Sequence, residues 1–220
     1  MLGDIPVVHN GVELERWPLG PGGDDLVWFG RFVAEKGAHL AIDAAHRAGK
    51  RLRLAGPVSD TAYFEQRIAP FLGDMVRYEG HLHQHDLARL VGSCGATLVT
   101  PIWDEPYGLV VAESLACGTP VVSFARGGIP EIVGDEAGVL VPPGVIDALA
   151  EAIDTALVLD RAQVRRRAEK CCSVIAMIDR SMDHGDRRWG RCDRYCIHIS
   201  RERPVASTEI TAGEVDVVNH

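Results

Sequence analysis

The chain has 220 residues, 46% hydrophobic and 25% charged, with a formal net charge of −8 at pH 7. This is the profile of an ordinary globular protein with one large core or two small ones, and its acidity excludes nucleic-acid binding through overall positive charge. Residues 1–160 carry 11 Lys/Arg against 22 Asp/Glu, whereas 161–203 carry 12 against 6, so the last quarter is a different kind of segment.

The run at 26–30 (LVWFG) is short, apolar and ended by glycine, which predicts a buried strand. Residues 34–48 follow with Ala38, Ile42, Ala45 and Ala48 at helical spacing. Strand 51–56 leads to a helix near 61–70, strand 75–80 to a helix near 84–92, and strand 96–101 to helix 108–117. Strand 120–124 then precedes a short helix at 129–133, and strand 138–142 precedes helix 145–158. Short continuous apolar strands alternating with helices predict an α/β fold, a doubly wound parallel sheet of about six strands. A single amphipathic helix is predicted over 161–180, with Val164, Ala168, Cys171, Ile175 and Ile178 on one face. From Ser181 the periodicity dissolves into an irregular basic and polar tail, 181–220.

The most apolar stretch, GLVVAESLACGTPVVSF, is broken by Glu113 and Gly118-Thr119-Pro120 before it could span a bilayer. The N-terminus lacks the basic and apolar regions of a signal peptide. Of six cysteines (Cys94, Cys117, Cys171, Cys172, Cys192, Cys196), the first two sit in apolar stretches and read as small buried hydrophobes, as expected of a reduced, cytoplasmic protein. Cys192-x3-Cys196-x-His198, with His184 upstream, offers four candidate zinc ligands, but not at a common structural zinc spacing, and no metal is expected. The arginines of 161–203 are read as a solvated helix face and tail that could touch anionic lipid headgroups.

Doubly wound sheets bind ligands at the carboxyl ends of their strands, and three groups of unusual residues fall there. Gly30-Arg31-x4-Lys36-Gly37 places two cations beside permissive backbone, which suits a diphosphate as well as it suits a solvated turn. Glu105-Pro106-Tyr107-Gly108-Leu109 opens a helix whose free amides favour an anion, and Glu113 on that helix is a carboxylate among Val110, Val111, Ala112 and Leu115. Such a carboxylate needs donors, which a ligand diol, a structural arginine or a backbone turn could supply. Ala125-Arg126-Gly127-Gly128 indicates close backbone approach to a ligand or to a neighbouring loop.

The run from Asn10-Gly11-Val12 through Gly30-Arg31-x4-Lys36-Gly37, Glu105-x7-Glu113, Cys117-Gly118-Thr119-Pro120-Val121-Val122, Gly127-Gly128-Ile129-Pro130-Glu131 and Gly138-Val139-Leu140-Val141 resembles the retaining glycosyltransferase family 4. More narrowly, it resembles the C-terminal, nucleotide-sugar-binding domain of the GT-B fold, over about residues 5–180. The resemblance implies that Gly30, Arg31 and Lys36 hold and neutralise the donor diphosphate. It implies further that the amides of Gly108 and Leu109 contact that diphosphate, and that Glu113 binds the ribose hydroxyls. Glu105 would orient the donor sugar, and the strand end around Arg77 and Tyr78 would flank the base. Arg31, Lys36 and Glu105 would be the catalytic group. No cofactor is implied beyond the UDP-, GDP- or ADP-linked sugar that is the donor substrate. On this reading 1–20 is a hinge remnant and 21–180 the donor domain, the acceptor-binding domain is a separate N-terminal partner, and contact with the inner membrane face is peripheral. The alternatives are a catalytically inactive nucleotide-binding fragment and another GT-B enzyme such as a sugar-nucleotide epimerase.

Overall fold

A computed structural model describes residues 10–185, with side chains through 179; the candidate zinc ligands Cys192, Cys196 and His198 lie outside them, as does the side chain of His184. The strands are β1 (Leu26–Phe29), β2 (Leu52–Ala55), β3 (Val76–Tyr78), β4 (Ala96–Val99), β5 (Val121–Phe124) and β6 (Gly138–Val141). They alternate with α1 (Ala38–Arg47), α2 (Thr61–Arg67), α3 (Gln84–Gly92), α4 (Leu109–Ala116), α5 (Ile129–Val133) and α6 (Ile146–Leu157), and α7 (Arg161–Cys171) and α8 (Val174–Gly185) follow. All strands pair in parallel in the order β3-β2-β1-β4-β5-β6, the expected doubly wound sheet. The winding reverses between β1 and β4, where the registers Leu26↔Ala96 and Val27↔Thr97 join the two halves.

The two-residue period of the strands divides the core. Leu26, Trp28, Leu54, Leu98 and Phe124 pack on one face, against α1, α2 and α6. Val27, Phe29, Val99 and Val121 pack on the other, against α3, α4, α5 and α7. Both faces of the central strands β1, β4 and β5 are covered, which is why these strands read as nearly unbroken apolar runs. Cys94 and Cys117 are buried, and burial raises both thiol pKa values, to about 11 and about 12.

Two expected helices are each broken into two pieces. Residues 34–48 form a short 3-10 turn (Ala34–Lys36) and then α1, because Gly37 between them has φ +69°. A Cβ there would lie 2.0 Å from the Thr100 carbonyl oxygen, so only glycine allows the loop after β1 to press this closely on β4. The predicted helix 161–180 is α7 and α8, parted at Cys172 and Ser173. Val12 N–H donates to the Cys172 carbonyl (2.7 Å), Val174 N–H donates to the Val12 carbonyl (3.2 Å), and the Ser173 hydroxyl accepts from Ala176 N–H (3.0 Å). Capping and pairing with the 11–12 segment outweigh helix continuation, α8 runs on to Gly185, and Ile175 is exposed rather than on a buried face.

Three of the four arginines of α7 are not on a solvated face; Arg166 is. Arg161 donates to the carbonyls of Gly92, Cys94 and Cys117 (each 3.0 Å), to that of Gly20 (3.3 Å) and to the Thr119 hydroxyl (2.9 Å). Arg165 donates to the carbonyls of Trp17 (2.6 Å) and Ala116, and Arg167 to those of Glu131 (2.7 Å) and Ile132 (2.8 Å). Three cations thus cap the carboxyl ends of α3, α4 and α5, where orphan carbonyls and the negative end of each helix dipole meet. Replacing Arg161 by Ala would take the donor from the Cys94 and Gly20 carbonyls and a second donor from those of Gly92 and Cys117, which keep the Gly22 and Gly20 amides. Urea unfolding of Arg161→Ala should show a loss of at least about 3 kcal/mol, against less than about 0.5 kcal/mol for Arg166→Ala, whose exposed side chain reaches only Asp160 at 3.6 Å.

Candidate functional site

The loops after β1 and β4 are joined side by side at the reversal of the sheet. Ile102 N–H donates to the Glu35 carbonyl (2.8 Å), and the Thr100 hydroxyl donates to the Gly37 carbonyl (2.8 Å). This brings Lys36 to Glu105, and the two form an ion pair with side chains only 25% and 16% exposed. The Lys36 ammonium also lies 5.4 Å from the centre of the Trp103 ring, a cation–π contact. A small cavity of about 40 Å³ opens here, lined by Trp28, Gly30, Lys36, Thr100, Glu105 and Val110. A larger cavity, about 580 Å³, lies elsewhere, between Pro18–Pro21, α3 and the Arg53–Glu79 ion pair, and holds none of the predicted site residues.

Gly108 caps α4, and a Cβ there would come 3.7 Å from the Glu105 side chain. Among the described residues, the amides of Gly108 and Leu109 donate to no protein acceptor. The positive end of the α4 dipole therefore opens beside the Lys36–Glu105 pair. Arg31, directly after Gly30, is exposed and forms no ion pair within the described residues. The paired glycines of the β5 loop serve a neighbouring loop. Gly128 N–H donates to the Glu105 carbonyl (2.9 Å), and a Cβ on Gly127 would stand 2.1 Å from that same oxygen. The backbone that carries Glu105 is therefore seated on Gly127 and Gly128.

Glu113 lies one turn into α4, largely buried, and among the described residues no donor reaches its carboxylate. The arginine or backbone turn that could have satisfied it is not there. Burial alone pushes its pKa from 4.5 to about 7.

Gly30, Arg31, Lys36, Glu105, Gly108 and Leu109 are thus gathered at the carboxyl ends of β1 and β4, with Glu113 on the helix between them. Tyr78 stands two strands away, its hydroxyl donating to the Gly56 carbonyl (2.8 Å) and its ring packed edge-on against Phe32. Arg77 does not join the group. Strand alternation turns it to the face opposite Tyr78, where it lines a cleft with Asp25, Arg51 and Asp74 toward the amino ends of the strands. Trp103 and Arg126 were passed over as site residues. An exposed tryptophan two residues before a loop glutamate, and an arginine before paired glycines, were the available signals.

Among the described residues no helix is long and apolar enough to cross a membrane, and no three His, Cys, Asp or Glu side chains converge on a metal position.

Residues 14–170 match the family model of the glycosyl transferases group 1. Over 179 residues the chain is 34% identical to glycogen synthase of Mycobacterium tuberculosis, covering 76% of this chain and 43% of that protein. It is also 34% identical to D-inositol 3-phosphate glycosyltransferase of Mycobacteroides abscessus, covering 74% and 41%. Among solved structures it is similar to AviGT4, a glycosyltransferase involved in avilamycin A biosynthesis, at 30% identity and a TM-score of 0.75, covering 84% of this chain and 58% of that one. It shares the fold of Anabaena HepE in complex with UDP-glucose at 23% identity and a TM-score of 0.70, covering 82% and 57%. The chain spans about half the length of the curated relatives it matches.

The Glu113 carboxyl ties stability to pH. Its native state holds the proton up to about pH 7, whereas an ordinary carboxyl releases it near 4.5. Between those values the folded form binds more protons than the unfolded, so this group's contribution falls as pH rises and is lost above 7. Urea unfolding at pH 5 and pH 8 should show wild type losing up to about 3 kcal/mol relative to Glu113→Gln, which cannot ionise.

Proposed function

Starting from a chain that belongs to the glycosyl transferases group 1 family, we propose that it is the donor-binding half of a retaining glycosyltransferase, taking a nucleotide-diphosphate sugar. The observation that carries this reading is the gathering of Arg31, Lys36, Glu105 and the open end of α4 at the one place where the sheet reverses direction. Crevices at such a reversal take ligands at the carboxyl ends of the strands.

In this mechanism the diphosphate lies across the amides of Gly108 and Leu109, with Arg31 and Lys36 beside it. Glycosyl transfer breaks the bond between the anomeric carbon and the diphosphate, so negative charge grows on the departing phosphate. Fixed cations and amides stabilise that charge more than they stabilise the bound donor, which is electrostatic catalysis. Lys36 begins paired to Glu105. When the diphosphate arrives, Lys36 exchanges one anion for another, and Glu105 is released to accept from hydroxyls of the donor sugar and orient its anomeric carbon. Glu113, largely buried and without a protein donor, accepts the ribose diol. No protein nucleophile is assigned; retention of configuration is a front-face transfer in which the departing phosphate assists deprotonation of the acceptor. The acceptor is held by a separate N-terminal domain. The protein is cytoplasmic and meets the inner membrane face only peripherally.

Calorimetric titration with UDP, GDP and ADP tests this. One nucleotide should bind, and Arg31→Ala and Glu113→Ala should each weaken it at least about tenfold. Because the ribose bonds favour ionised Glu113, affinity should rise about tenfold from pH 6 to pH 8, following the carboxylate through its pKa of about 7. Glu113→Gln should remove that slope. Folded protein that binds none of the three nucleotides defeats the reading.

A further inference from the structure

Arg126 occupies an odd position for a cation. It stands two residues after β5, in a turn closed by Ile129 N–H donating to the Arg126 carbonyl (3.2 Å). The adjoining Gly127 presses on the backbone of Glu105 and Gly128 on that of Pro106, so the arginine is fixed beside the loop that carries that carboxylate. Its Nε is buried and has no hydrogen-bond partner. The one ion pair of its guanidinium among the described residues is with Asp104 at 3.6 Å, and the Asp104 side chain is 81% exposed. A pair that long and that solvated contributes little, and an unpaired buried N–H is costly. The guanidinium is under-used where it stands.

The strand order gives its place relative to the rest of the site. Arg31 and Lys36 follow β1, Glu105 follows β4, and Arg126 follows β5, in that order across the sheet. A donor laid across these loops with its diphosphate at β1 and its glycosyl unit at Glu105 would bring the far edge of that unit to Arg126. The diphosphate already has Arg31, Lys36 and the amino end of α4 as partners.

We propose that Arg126 is a specificity-determining residue for the donor: it selects a glycosyl unit bearing a carboxylate, as in a uronic acid. This rests on the donor-binding reading above. A guanidinium presents a planar fork of N–H donors that matches a carboxylate in bidentate geometry, which neither a hydroxyl nor the solvated Asp104 provides as well. Asp104 is the acceptor that a donor carboxylate would have to displace.

The test is calorimetric titration with three pairs that differ at the sugar's carboxylate: UDP-glucose against UDP-glucuronate, GDP-mannose against GDP-mannuronate, and ADP-glucose against ADP-glucuronate. UDP, GDP and ADP alone serve as references. On the base that binds, wild type should prefer the acidic sugar by about ten- to a hundredfold. Arg126→Ala should abolish that preference while holding affinity for the plain diphosphate within about twofold. Arg126→Lys should restore only part of it, and Asp104→Asn should widen it. A wild type that binds neutral and acidic donors alike overturns the proposal. So does an Arg126→Ala variant that weakens both donors equally, since that is the signature of a strut for the Glu105 loop. If no nucleotide binds at all, the donor-binding reading fails first and this one falls with it.

Discussion

Helix α4 has its two ends in opposite electrostatic situations, and much of the molecule is arranged around that difference. At its carboxyl end, the Ala116 and Cys117 carbonyls are gathered by Arg165 and Arg161, reaching across from α7. At its amino end, Gly108 and Leu109 present amides that donate to nothing in the described protein. One end is satisfied by the fold, while the other is left available. Arg161 also caps α3 and Arg167 caps α5, so the face of the sheet built from α3, α4 and α5 is fastened by a helix that lies outside the sheet's own alternation. Beneath α4, the Thr97 and Ser114 hydroxyls bond each other, Ser114 donates to the Thr119 carbonyl, and the Thr119 hydroxyl accepts from Arg161, a buried polar line. Satisfied networks of this type give a helix one seating rather than several.

The opposite edge of the proposed site is fixed by backbone. Gly37 lets the β1 loop press on Thr100, and Gly127 and Gly128 let the β5 loop press on Glu105 and Pro106. Three loops from three adjacent strands are thereby held at hydrogen-bond distance with little room for sliding. A site on loops is ordinarily more mobile than its scaffold. Here the glycines remove the clearance that such motion would need.

The sequence displayed the sheet clearly, because the central strands β1, β4 and β5 are covered on both faces and carry no charge, while Arg53 and Arg77 mark β2 and β3 toward the edge. It displayed less of what ends helices. Gly37 could be seen, but its contact with Thr100, 63 residues later, could not. Ser173 looks ordinary until residues 11–12 are found beside it. The α7 arginines were the largest misreading: their spacing suits a wet surface, and only the tertiary fold brings the carboxyl ends of three helices to them. For the site, motif spacing picked out the β1 and α4 residues because both loops end at the reversal of the sheet. It misjudged Arg77, since alternation along a three-residue strand decides which face a side chain takes. Trp103 two residues before Glu105 and Arg126 before paired glycines are visible in the sequence, but the contacts with Lys36 and Asp104 come only from the fold.

The Lys36–Glu105 pair has a consequence for selectivity in a crowded solution. An empty pocket with two bare cations would collect inorganic phosphate and any passing polyanion. With Lys36 already neutralised by Glu105 and shielded by Trp103, the resting pocket offers one exposed cation, Arg31, and a helix end. A ligand must therefore bring enough contacts to separate an existing ion pair before it gains the second cation. Simple anions bring too few. On the donor-binding reading proposed above, a molecule that joins a diphosphate to a hydroxylated ring supplies a new partner to each half of the broken pair, and the pair then acts as a latch that favours ligands carrying both.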